Sequence, residues 1–177
     1  MLDNPGEAQG YKKEHCFSMS ILSPIQTMST VLTQHPFWKN LPSQFFPILE
    51  EHATYQDFRA KEKMFSKGQN ADYFYLIIEG RVTIETPFVP GEGVISVQHV
   101  GAGEPLGWSW FFPPHKWHFT ARAVEPTRCI VFDAARLRQL ADADPAFGYQ
   151  LAMRVGTLVT ERLQATRSRL LNICEVV

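Results

Sequence analysis

Cysteine is scarce and scattered: Cys16, Cys129 and Cys174 are three widely separated residues. An odd count with no CxxC spacing excludes a disulfide framework and a cysteine-built metal knuckle, and suits a reducing cytoplasm. No apolar run nears the roughly 18 residues needed to span a bilayer. The first residues carry no basic-led apolar block with a small-residue cleavage site, so a soluble cytoplasmic protein is expected. Neither sign of charge is in excess, with 17 basic residues against 18 acidic. No basic field is therefore available to hold nucleic acid in bulk. Repeats and low-complexity tracts are missing. So are a GxSxG elbow, a P-loop and an HExxH helix, and no catalytic residue is assigned.

What is present divides into three parts. Residues 1–29 mix Gly, Pro, Ser and charge without a sustained period, which predicts a loose N-terminal arm. Residues 30–145 hold the main body. Near its start, HPFWKNLPSQFFPILEEHA sets turn signals at Pro36 and Pro42 around Phe45, Phe46 and Leu49 at helical spacing, so short helices are expected. From about 54 to 133, segments rich in Tyr, Phe, Val, Ile and Thr are broken at Gly68, Gly80, the Pro90/Gly91/Gly93 group, Gly101, Gly103 and Pro126. Strand-length segments with such breaks predict an antiparallel sandwich or barrel of about eight strands. DYFYLII, residues 72–78, reads as a buried strand, with Gly80 as the turn before RVTIET.

After Asp133 the period becomes helical. AARLRQLADADP predicts a short helix stopped near Pro145, with Asp142 and Asp144 as end caps. Residues 146–177 predict a long helix. On it Ala152, Gly156, Val159, Leu163, Thr166, Leu170, Ile173 and Val177 recur in alternating four- and three-residue steps, the seam of a two-helix coiled coil. Leu151, Val155 and Leu158 form a second stripe that can pack on the barrel. A homodimer through this helix is expected, with Gly156, Val159, Leu163, Thr166, Leu170 and Ile173 at its interface.

The residues of the middle segment resemble one family. FRAKEKMFSKGQNADYFYLIIEGRVTIE is similar to the opening of the cyclic-nucleotide-binding domain. GAGEPLGW resembles that family's G-[DE]-x-[FIL]-G-E, carrying Gly103, Glu104, Leu106 and Gly107. RLQATRSRLLN, residues 162–172, resembles the long helix of the catabolite activator/Fnr-like members. The resemblance implies an α+β fold: an antiparallel β-roll of jelly-roll type, flanked by short N-terminal helices and a long C-terminal helix. It also implies a ligand pocket between roll and long helix.

In that family a glutamate holds the ribose 2′-hydroxyl and an arginine neutralises the cyclic phosphate. Backbone N–H groups complete the anion site. Carried over, Gly107 is kept, but Trp108 stands at the glutamate position. Counting back from Ala123, Trp117 stands at the arginine position and His118 follows it. Losing both anchors costs roughly 3–6 kcal/mol, or about two to four decades in affinity. Cyclic AMP or cyclic GMP is thereby handicapped as the ligand.

Three of the four tryptophans, Trp108, Trp110 and Trp117, cluster there with Phe111, Phe112 and Phe119. Three readings stay open at this point: a pocket filled by its own side chains, a pocket that takes a flatter or more apolar ligand, and a nucleotide held through backbone amides, His118 and Arg122. The candidate ligand-binding set is Leu106, Gly107, Trp108, Ser109, Trp117, His118, Phe119, Thr120 and Arg122, with Thr166 and Arg167 from the long helix. Thr166 either meets a ligand or bonds the carbonyl one turn back. His115 and His118 in HKWH lack a third ligand, so zinc is poorly supported and no metal is assigned.

The function expected is a stand-alone, non-catalytic sensor domain that binds a small molecule and signals through the long helix to a protein partner. The related regulators continue into a helix-turn-helix. This chain stops at Val177, so direct DNA binding is not expected. The alternatives are a ligand-free interaction module and a haem- or metal-linked redox sensor.

Overall fold

The computed structural model describes residues 27–87 and 93–174, the side chains of 172–174 excepted. The predicted arm lies outside them up to residue 26. At Thr27 the hydroxyl accepts from the Thr30 N–H and caps α1 (Met28–Gln34), which buries Leu32. A 3-10 turn at Pro36–Trp38 and another at Ser43–Phe45 lead into α2 (Phe46–Glu51). These short pieces supply Phe37 and Trp38, which pack against Phe74 and Phe132 of the roll.

The roll has eight strands among the described residues: β1 (Ala53–Phe58), β2 (Lys63–Phe65), β3 (Tyr73–Glu79), β4 (Arg81–Pro87), β5 (Val94–Gly101), β6 (Pro105–Leu106), β7 (Thr120–Ala123) and β8 (Thr127–Asp133). They form two antiparallel four-stranded sheets, β1-β8-β3-β6 and β2-β7-β4-β5. Both faces of β3 are covered, which is why its sequence is an unbroken apolar run. Phe74 meets Phe37 and Phe132 on one side, while Tyr75 meets Phe58 and Phe65 on the other. Gly80 turns the chain at φ +87°, and a Cβ there would lie 2.4 Å from the Pro126 carbonyl oxygen. Only glycine fits that approach.

Two helices close the fold, α3 (Ala134–Ala143) and α4 (Pro145–Cys174). Pro145 is the first helical residue of α4, where its missing N–H costs nothing. Asp144 accepts from the N–H groups of Ala146 and Phe147, so it caps the start of the long helix. The second stripe, Leu151, Val155 and Leu158, is buried on the roll. Arg154 donates to the Lys39 carbonyl and Arg169 to the Val97 carbonyl, fixing α4 at two heights. No helix among the described residues is long and apolar enough to cross a membrane.

Candidate functional site

Where the roll meets α4 lies a cavity of about 330 Å³. Its roll wall includes Phe65, Leu106, Gly107, Trp108, Ser109, Trp117, His118 and Phe119, and its helix wall Leu158, Val159, Arg162, Leu163 and Thr166. The structure thus gathers Leu106, Gly107, Trp108, Ser109, Trp117, His118, Phe119 and Thr166 from the expected set around one space.

Three expected residues do not line it. Burial alternates along β7, with Ala121 and Ala123 inward, so Thr120 and Arg122 face away. The Arg122 Nε donates to both oxygens of buried Glu85, at 3.2 and 3.3 Å, and its Nη1 to the Lys61 carbonyl. Thr120 accepts from the Lys67 N–H. Arg167 is exposed on α4. Trp110 is also elsewhere: it is fully buried against Phe74, and its carbonyl accepts from Arg138. Phe111 is half-buried, Phe112 is exposed, and neither lines the cavity.

Trp117, which the resemblance aligns with the family's arginine, covers Gly107 with its ring. Gly107 has φ +82°, and a Cβ there would lie 2.5 Å from Cζ3 of that ring. The other side of the indole's environment is Phe65, stacked at 3.8 Å between centroids and 13° between planes. Such a pair adds about 0.5–1.5 kcal/mol beyond its buried area. Trp108 stacks on the His118 ring at 5.5 Å, and His118 Nδ1 shares a 3.0 Å hydrogen bond with the Ser109 hydroxyl. Neither Trp108 nor Trp117 carries a charge, so these two supply no counter-charge for a cyclic phosphate and no acceptor for a ribose hydroxyl.

Arg162 lines the cavity without belonging to the expected set. Its side chain is 18% exposed, and its Nη2 reaches Glu104 Oε1 and the Pro105 carbonyl, both at 3.4 Å. Burial lowers its proton affinity, and Glu104 opposes that shift. The signal was its position one turn before Thr166, on the same helix face. Thr166 itself donates to the Arg162 carbonyl at 2.9 Å, the local bond expected of a helical threonine. Phe65 was outside that set too, although it ends a strand on the buried side.

Among the described residues no three His, Cys, Asp or Glu side chains group to hold a metal ion. Burial pushes the Cys129 thiol up to about 12, so it stays protonated and a poor nucleophile.

The two-sheet roll and the long helix laid across it define a class, the β-roll domains of the cyclic-nucleotide-binding type. The cyclic nucleotide-binding domain model matches residues 55–144, and the chain belongs to that family. The family is typically regulatory and non-catalytic, and its members bind cyclic nucleotides. The fold is similar to a candidate cyclic nucleotide-binding protein of Geobacter metallireducens GS-15, at 25% identity and TM-score 0.69, over 78% of this chain and 99% of that one. It is similar to a cyclic nucleotide-binding domain from Methylobacillus flagellatus KT, at 23% identity and TM-score 0.67, over 75% and 74%. The catabolite activator protein of Thermus thermophilus gives 18% identity and TM-score 0.63, over 78% and 63%. No curated protein sequence matches the chain.

Proposed function

We propose that this chain is a non-catalytic sensor domain in which a small molecule between roll and α4 changes how α4 pairs with its copy in a homodimer. The observation that carries the reading is the cavity itself. Two tryptophans stand at the anchor positions, yet about 330 Å³ remains open between them and the helix. That volume lies within the range of small-ligand sites, and its walls combine apolar surface with a few polar groups. A pocket filled by its own side chains would leave no such space.

The route to an output is also built in. Leu163 and Thr166 line the cavity and belong to the apolar seam, so one helix face touches both ligand and partner. Leu163 and Leu170 are more than half exposed in the single chain. Exposed leucines at seam spacing need a cover, and a second α4 supplies one. A ligand that prefers one helix position over another shifts the pairing by its difference in affinity. The changed dimer surface is then read by another protein.

Native mass spectrometry, followed by hydrogen exchange, tests this directly. The expected result is a dimer carrying a small molecule on each copy. Exchange across residues 158–170 should be slower than after that molecule is removed. A bare monomer with unchanged exchange in every ligand condition would contradict the reading.

A further inference from the structure

Resting on that reading, the cavity's own chemistry narrows the class of ligand. Its surface is mainly aromatic and aliphatic, with Phe65, Trp108, Trp117 and Phe119 on the roll side. Rings of that kind favour a flat, polarizable partner that stacks or packs edge to face. Among the described residues no carboxylate lines this space to hold a sugar hydroxyl, and Gly107 is covered by indole.

Among the described residues Arg162, on α4, is the one Lys or Arg that lines the cavity, and it also lines the cleft beside it. Arg162 presents five N–H donors, of which Nη2 alone has protein acceptors, at 3.4 Å. That is the long end of hydrogen bonding. Among the described residues Nε and Nη1 have no acceptor, and neither is fully buried. Glu104 holds the guanidinium loosely, since its other oxygen is taken by the Gly101 N–H at 2.7 Å. A half-satisfied, mostly buried guanidinium favours an added anion. Its planar fork matches a carboxylate in two parallel bonds. A single arginine already facing Glu104 suits one negative charge better than the two of a phosphomonoester.

We infer that the cavity takes a planar aromatic monocarboxylate, its ring among Trp108, Trp117 and Phe119 and its carboxylate on Arg162.

The test uses 2-naphthoate and its uncharged isostere 2-naphthamide, titrated into the full chain and followed by tryptophan fluorescence. Cyclic AMP is titrated in parallel by calorimetry. The acid is expected to bind about ten- to hundredfold tighter than the amide. Arg162→Gln should bring the two to parity, and Arg162→Lys should restore part of the preference. Circular dichroism checks that both variants fold. Equal binding of acid and amide by the unmodified chain would overturn the carboxylate assignment and leave the sensor reading standing. Binding of cyclic AMP with neither naphthalene would do the same. Failure of all three probes to bind the folded protein would overturn this inference and count against the sensor reading as well.

Discussion

At Gly107 a side chain is forbidden twice. The backbone is at φ +82°, and an added methyl would meet Trp117 at 2.5 Å. Gly107→Ala should therefore cost about 1–3 kcal/mol from backbone strain alone, with a further loss from the displaced indole. Urea unfolding of Gly107→Ala, Trp117→Ala and the double variant separates the two. The expected coupling is about 0.5–3 kcal/mol, and strict additivity would contradict the contact. His35 is a second residue whose state is set by its surroundings. It is 5% exposed, and its Nδ1 accepts from the Phe37 N–H at 3.2 Å. Burial lowers its pKa below 6.5, with the nearby Ile77 backbone opposing only in part. The unfolded chain therefore takes up the proton first as pH falls. Stability should be level above pH 6.5 and decline below it, by up to about 1.4 kcal/mol per pH unit from this group. In His35→Asn, which keeps an acceptor for Phe37, that part of the decline should vanish. An identical pH dependence in both proteins would rule it out.

The long helix has one face packed on the roll and another open to solvent. Leu151, Val155 and Leu158 are buried on the roll, while Ala152, Gly156, Leu163, Thr166 and Leu170 are exposed and Val159 is half-buried. Ile173 and Val177, also placed on the seam, fall outside the described side chains. At Gly156 an added Cβ meets nothing within 4 Å, so a larger residue leaves the single chain undisturbed. Gly156→Glu with Leu170→Glu should weaken self-association by about a hundredfold or more through like charges across the seam. Sedimentation equilibrium should show a dimer become a monomer with unchanged circular dichroism. A variant that remains dimeric would remove α4 from the interface. Periodicity made these elements legible: DYFYLII and RVTIET became β3 and β4 with shifts of one residue at most, and AARLRQLADADP became α3, which ends at Ala143. The start of α1 was less so. Met28 and Ser29 read as part of a loose arm because a seven-residue helix offers barely two turns of pattern.

Across the whole molecule, strand texture and glycine breaks pointed to an antiparallel sandwich or barrel, the family resemblance narrowed it to the β-roll, and the site came from motif positions in GAGEPLGW and WHFTARA. Those positions put Trp108 and Trp117 at the cavity because the family spacing fixes where each strand begins. The same spacing did not say which way each side chain points. Arg122 fell outside because the pleat of β7 turns it toward Glu85. Trp110 fell outside because it belongs to the layer between roll and helices. Arg162 stayed outside the expected set because it enters from a helix more than fifty residues away in sequence, and only the packing of α4 brings it to Glu104. By the family resemblance, Trp108 and Trp117 stand where the roll would hold two ionic anchors, and among the described residues the one Lys or Arg lining the cavity is Arg162 on α4. Isothermal titration of cyclic AMP into the unmodified chain and into the Trp108→Glu, Trp117→Arg variant measures that difference. The unmodified chain should give no saturable heat at millimolar nucleotide, and the folded variant should gain about two to four decades in affinity. Micromolar binding by the unmodified chain, or no gain in the folded variant, would contradict it.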